Sequence, residues 1–272
     1  MSQHIRFGTH APALHSNGWN IIPIPASSKA PRIEGWTAGF GKQQVDAFAA
    51  NGYAQGNIGL LARFFPAVDI DVLDEECAAA IEQHALQTLG PAPVRIGNRP
   101  KRLLAYRTAT PFKKLKIYLT APDGSTRGDD GKDYAVEILG DGQQYVIYGE
   151  HPDGFDYEWP DHDGPTAEPP TSLSLVDKEK VTNFLATLPT ALPVGWSVRE
   201  AVSKHRGKAE AEVTFENLRH PLPDWPLERI VGPRWPVQIP PPVATPNSPR
   251  QGRGNYDGSV LMASRLAASL SL

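Results

Sequence analysis

Phe65-Pro66-Ala67-Val68-Asp69-Ile70-Asp71-Val72 alternates apolar and acidic residues over its second half. In an extended strand Val68, Ile70 and Val72 point to one face and Asp69 and Asp71 to the other. The two carboxylates then stand roughly 6 to 7 Å apart, at about 3.3 Å per residue. Like charges that close repel, and ionising both costs stability unless a cation lies between them. One reading is a platform for Mg²⁺ or Mn²⁺, which take carboxylate oxygens. The other is a strand end whose acids face solvent. Aspartate is disfavoured inside strands, so two of them in five residues ask for a reason.

Working outward, Asn57-Ile58-Gly59-Leu60-Leu61 reads as a strand paired through a short connection with the Asp69 strand, with Gly59 admitting a close approach of ligand or backbone. Asp74-Glu75-Glu76 opens a helix that ends near Leu89 at Gly90-Pro91. His84 within it reads as a surface or boundary residue. Val94 to Ile96 and Leu103 to Tyr106 read as strands flanking the basic turn Gly97-Asn98-Arg99-Pro100-Lys101-Arg102. Such a turn can clamp a triphosphate, Arg as a fork and Lys as a point charge, or contact a nucleic-acid backbone. Gly124 to Asp133 is a polar loop, and Tyr134 to Leu139 a strand with Glu137 opposite Val136 and Ile138. Asp141-Gly142 reads as a hairpin turn into the strand Gln143 to Tyr148. His151-Pro152-Asp153-Gly154 is a turn, and Tyr157-Glu158-Trp159 a last short strand.

Nearer the start, Gly18 to Pro25 reads as a buried strand and Gln43 to Ala50 as a helix; a polar turn with Lys29 lies between them. Lys178 to Leu188 is an amphipathic helix with Asp177 as N-cap. Ser197 to His205 reads as a further short helix. Ten prolines between Pro221 and Pro249 point to an extended tether. The expected organisation is a catalytic domain over 1–205, a Pro-rich linker over 206–250 and the start of a helical segment over 251–272.

The chain has 272 residues, 40% of them hydrophobic, a net charge of −3 and one cysteine, Cys77. This describes a globular chain with no intrachain disulfide, suited to a reducing cytoplasm, with no targeting or membrane segment in view. The modest net charge argues against a generic nucleic-acid coat, but its distribution is uneven. Eight bases and no acid lie between Pro93 and Thr120: Arg95, Arg99, Lys101, Arg102, Arg107, Lys113, Lys114 and Lys116. Twelve acids against Arg127 and Lys132 lie between Ala121 and Asp163. Two solvated faces, or a phosphate-binding wall opposite a metal-binding one, both fit that split.

The ordered set Val68-Asp69-Ile70-Asp71-Val72, Val136-Glu137-Ile138-Leu139-Gly140, Gly142-Gln143-Gln144-Tyr145-Val146 and His151-Pro152-Asp153-Gly154-Phe155-Asp156-Tyr157-Glu158-Trp159 resembles the primase-polymerase domain of plasmid and phage replication proteins. That domain belongs to the archaeo-eukaryotic primase superfamily. The likeness spans roughly residues 10 to 190.

The resemblance implies an α/β (α+β) palm with mixed β-sheets flanked by helices. It also implies a DNA-directed nucleotidyltransferase working on nucleoside triphosphates and a single-stranded DNA template. Asp69, Asp71 and Glu137 match its carboxylate triad, which binds two Mg²⁺ or Mn²⁺ ions. Arg95, Gly97, Lys101, Arg102, Gln144 and His151 are the candidate nucleotide contacts, with a turn-stabilising role as the alternative for His151. Arg99, Arg107, Lys113, Lys114 and Lys116 are candidate nucleic-acid contacts, and Tyr106 or Tyr118 could stack on bases. A helicase or primase-accessory domain is an expected partner. One departure stands out: the family's small-x-His motif has no histidine here, where the strand reads Pro100-Lys101-Arg102-Leu103-Leu104-Ala105-Tyr106-Arg107. Either Lys101 and Arg102 supply that contact or nucleotide binding is weaker. A metal-dependent nuclease and a non-catalytic single-strand-binding initiator module are the competing functions.

Overall fold

A computed structural model describes residues 5–160 and 164–199. The expected linker and C-terminal segment lie outside the described residues. Two β-sheets and four α-helices make up the described part.

The larger sheet contains β3 (Ala67–Asp71), β4 (Val94–Ile96), β5 (Arg102–Ala105), β6 (Leu115–Thr120), β7 (Ala135–Leu139) and β9 (Ser197–Arg199), in the order β4-β5-β3-β7-β6-β9. The smaller has β1 (Ile21–Ile24), β2 (Asn57–Leu61) and β8 (Gln144–Tyr148), with β2 central. The palm expected from the sequence is present, and its ladders are antiparallel where mixed sheets were expected. The helical crossover from β3 through α3 (Glu75–Leu89) does bring β4 back in the same direction. The return strand β5 inserts between them, so each adjacent pair runs antiparallel.

Alternation along β3 divides the core in two. Val68, Ile70 and Val72 pack with Leu104, Val136, Ile138 and Ile117 beneath α3 and α4 (Lys178–Thr187), whose Ile81, Leu89, Phe184 and Leu185 are buried there. Each such side chain withdrawn from water contributes about 1.5–3 kcal/mol before chain entropy is counted. Ala67, Leu103, Ala105 and Leu139 face the other way, onto β1, β2 and β8 and onto α1 (Phe7–Ser16) and α2 (Lys42–Ala50). Asp74 caps α3 by accepting the Cys77 N–H, and Asp177 caps α4 by accepting that of Lys180.

Several strand pairings differ from the sequence reading. Strand β2 does not join the Asp69 strand; residues 62–66 carry the chain from one sheet to the other, and β2 pairs with β1 and β8, buried on both faces. What crowds Gly59 is the Ile22 and Ile24 side chains of β1 and that of Gln144, since an added Cβ would meet Ile24 Cδ1 at 2.6 Å. Asp141-Gly142 is a turn, with Gly142 at φ 88°, yet it joins β7 to β8 of the opposite sheet instead of closing a hairpin. Ser197–Arg199 form strand β9 on the free edge of β6, where Val198 sits across from Leu119; residues 200–205 lie outside the described part. Tyr157 to Trp159 form no regular strand, only an isolated bridge between Glu158 and Ile96. Helix α1 and strand β6 were not anticipated.

Candidate active site

The register of the large sheet sets one row of side chains across five strands. Arg95 of β4 lies opposite Leu103 of β5, Leu103 opposite Asp69 of β3, Asp69 opposite Glu137 of β7, and Glu137 opposite Lys116 of β6. Directly opposed residues project to the same face. All five therefore stand on the side away from α3 and α4, and Asp71 follows Asp69 on that side. At one end of this face the small sheet covers Ala67, Leu139 and Ala105. At the other the charges open into a cleft of about 230 Å³ reaching Lys29, Lys101, Gln144, His151 and Tyr157.

Asp69 is half-buried on the cleft floor. Burial first, and then the negative charge of Asp71, push its carboxyl from 3.8 up to about 7; Glu137 adds to the rise while Arg95 and Lys29 oppose it. An acid that resists ionisation in its own site invites a cation. Asp71 lies 3.3 Å from Lys101 Nζ, which also donates to Asp130 of the polar loop at 2.6 Å. Burial works against the Lys101 charge, but the bonds to Asp130 and Asp71 hold its ammonium above the usual range.

Arg95 is buried. Its Nη1 donates to Val146 O at 2.9 Å, its guanidinium lies 4.7 Å from the Tyr157 ring centre, and its Nε is buried without a partner. Gly97 follows at a point where any Cβ would meet the Tyr157 ring at 2.7 Å, so only glycine lets the basic turn pass under it. Gln144 donates to Lys29 O at 2.7 Å, and its Oε1 is buried and unpartnered. His151 stacks on Phe155 at 4.6 Å. Burial, then the charge of Lys29, pull its imidazole down to about 4, so the ring is neutral near pH 7. The Asp153 main-chain N–H points at its Nδ1 at 3.1 Å, with the Asp153 carboxylate 3.2 Å from the same nitrogen. Accepting that N–H leaves the proton of the neutral ring on Nε2. His151 thus both stabilises its turn and lines the cleft.

Lys29 was passed over in the sequence as part of a polar turn. Burial, then the positive charges of Lys132 and Arg95, lower its ammonium, and Asp69 and Asp71 oppose the fall. No local signal marks it, because only the pairing of β1 with β2 carries its loop to the cleft.

Glu137 shares the row with Asp69 but is engaged elsewhere. Its two oxygens take Lys114 Nζ at 2.8 Å and Lys116 Nζ at 2.7 Å. Burial opposes ionisation, yet these two bonds hold its carboxyl below the usual glutamate range. Among the described residues no three acidic, His or Cys side chains are grouped to hold one ion. Asp69 and Asp71 fit a hard divalent ion by donor chemistry, whereas Glu137 brings no free oxygen to it.

The remaining basic candidates are dispersed. Arg102 borders the cleft, but its side chain, opposite Ile70, projects under α3 and bonds Glu75 and Glu82 at 2.6 Å each, so its guanidinium serves the other face of the sheet. Arg107 donates to Leu173 O, Lys113 pairs with Asp141, and Arg99 lies 3.5 Å from Glu158. Tyr106 is buried at 1% exposure and cannot stack on a base. Tyr118 is half-buried, with Lys116 and Arg199 each 4.6 Å from its ring centre. His84, as expected of a boundary residue, bonds Thr187 and stacks on Phe184.

A family profile for the bifunctional DNA primase/polymerase N-terminal domain matches residues 11–172, more than half of the chain. The chain belongs to this Prim-Pol family. The matched span holds α2, α3 and β1 to β8, and with them Asp69, Asp71, Arg95, Glu137 and His151. A search of the curated proteins finds no match. Prim-Pol membership supports a DNA primase/polymerase-type function with DNA and nucleotides as substrates, and enzymes of the family are generally metal-dependent. No described helix of this Prim-Pol domain is long and apolar enough to cross a membrane.

Proposed function

We propose that this chain is the nucleotide-joining module of a phage- or plasmid-type replication protein, extending or starting a strand on single-stranded DNA with nucleoside triphosphates. The observation that carries this reading is Asp69 and Asp71 beside Arg95 in a cleft whose walls bear Lys29 and Lys101, on a sheet whose register sets Glu137 directly across from Asp69. Negative floor and positive wall are the two halves that phosphoryl transfer needs, one for a cation and one for the phosphates.

Asp69 and Asp71 are the proposed ligands. A Mg²⁺ or Mn²⁺ ion bound by them would polarise phosphate oxygens as a Lewis acid. The chain itself binds and orients the triphosphate. Arg95 holds its fork in place by stacking on Tyr157 and bonding Val146, with its guanidinium bordering the cleft. Lys101 and Lys29 supply point charges, and His151 offers a neutral Nε2–H donor. Leu103 stands directly across from Asp69 and can contact no phosphate, so on this reading Arg95, one strand further out, provides the positive contact that the family takes from a histidine.

The test incubates the chain with Mn²⁺, all four deoxynucleoside triphosphates and 5′-labelled single-stranded DNA carrying a self-priming hairpin. Longer products support nucleotide joining. Shorter products only would make the same carboxylates those of a nuclease, and unchanged DNA with retained binding would make the chain an initiator module without catalysis.

A further inference from the structure

The two oxygens of Glu137 are both committed to ammonium groups, and the sheet itself arranges this. Lys116 is the directly opposed neighbour of Glu137 in the β6–β7 ladder, and Lys114, two residues earlier, returns to the same face. The contacts, 2.7 and 2.8 Å, are those of charge-assisted hydrogen bonds. Lys116 is further fixed over the Tyr118 ring, which takes Arg199 as well. All three carry little exposure: side chains of Glu137, Lys114 and Lys116 are 12%, 28% and 25% exposed. A pair so placed is part of the sheet's register, unlike a surface ion pair of negligible worth.

The charge balance of the row follows. Glu137 with its two lysines carries one net positive charge, next to the negative pair Asp69 and Asp71. A second divalent ion at Glu137 would have to displace both ammoniums and then lie beside them. Resting on the nucleotide-joining reading, we infer that Lys114 and Lys116, anchored by Glu137, stand in the place of a second divalent ion. The site then binds one ion, on Asp69 and Asp71, with the Lys114 and Lys116 charges set beside it on the β6 side. Glu137 is a positioning residue for those lysines.

Binding of Mn²⁺ alone to the full chain, counted by electron paramagnetic resonance and calorimetry, separates this from a shared-triad site without any activity assay. The wild type binds one ion. Asp69→Asn/Asp71→Asn binds none, and Glu137→Gln, whose lysines lose their counter-charge, binds more weakly but still one ion. Lys114→Gln/Lys116→Gln frees Glu137, and its count rises to two. Two ions on the wild type, no ion bound by Glu137→Gln, or a count that stays at one in the lysine variant would each overturn the inference while leaving the nucleotide-joining reading standing. Wild-type Mn²⁺ binding absent, or unchanged by Asp69→Asn/Asp71→Asn, would overturn that reading and the inference with it.

Discussion

Replacing Asp69 by Asn tests whether the site is held at the expense of stability. Burial first and Asp71 second push the Asp69 carboxyl from its ordinary 3.8 up to about 7 in the folded chain. A raised carboxyl pKa means that the folded state holds a proton which the unfolded chain has released. Stability therefore falls as pH climbs through the window from 3.8 to about 7, and the penalty is complete above it. At 1.36 kcal/mol per pH unit the full span corresponds to roughly 4 kcal/mol, and proton sharing with Asp71 brings the expected figure to about 2–4 kcal/mol. Asparagine has the same shape and no charge to desolvate. In EDTA, urea unfolding at pH 8 should find Asp69→Asn more stable than wild type by that amount. At pH 5 the advantage should shrink to about 1 kcal/mol. Nucleotide incorporation by the variant should be lost throughout. A variant no more stable than wild type at pH 8, or one whose advantage does not change with pH, would show that the buried Asp69 charge carries no such penalty.

Saturating Mg²⁺ or Mn²⁺, at about 100 times the dissociation constant, should stabilise the wild type by about 2.7 kcal/mol and leave Asp69→Asn/Asp71→Asn unmoved, read as a shift in the thermal midpoint. Arg102→Ala should cost about 1–3 kcal/mol through the stranded Glu75 and Glu82 carboxylates, with the KM for nucleotide unchanged in steady-state assays, because its guanidinium lies on the α3 side. Arg95→Lys should raise that KM about tenfold or more, since an ammonium can neither stack on Tyr157 nor keep the fork geometry. Gly59→Ala should destabilise the chain by about 1–3 kcal/mol, measured by urea unfolding, as its Cβ would press on Ile24 Cδ1 and Ile22 Cγ1.

What could be read in the sequence was whatever short-range periodicity controls. The Val68/Asp69/Ile70/Asp71 alternation, the Asp74 and Asp177 caps, the α3 span and the 134–139 strand all follow from local pattern, and the structure bears them out. Pairing is a long-range matter. Nothing local says that β2 and β8 leave the Asp69 sheet for one of their own, because fully buried strands look alike whichever neighbour they take. The same limit governs the site. Asp69 and Asp71 announce themselves, but Arg95 and Arg102 are equivalent bases in one basic run, and only the β4–β5–β3 register sends one to the cleft and the other beneath α3. Lys114 and Lys116 read as nucleic-acid contacts because the sequence does not show that β6 lies against β7, where Glu137 takes both.

The proposed role of Asp69 and Asp71 is to form the floor on which nucleotides are joined. Its most direct test is incorporation of labelled nucleotide on a single-stranded template without added primer and with added primer, in Mn²⁺ and in EDTA, for the wild type and for Asp69→Ala/Asp71→Ala. Metal-dependent, template-directed product from the wild type in at least one format, and none from the variant, is the predicted result. Equal product from both proteins, or none from the wild type in either format, would contradict it.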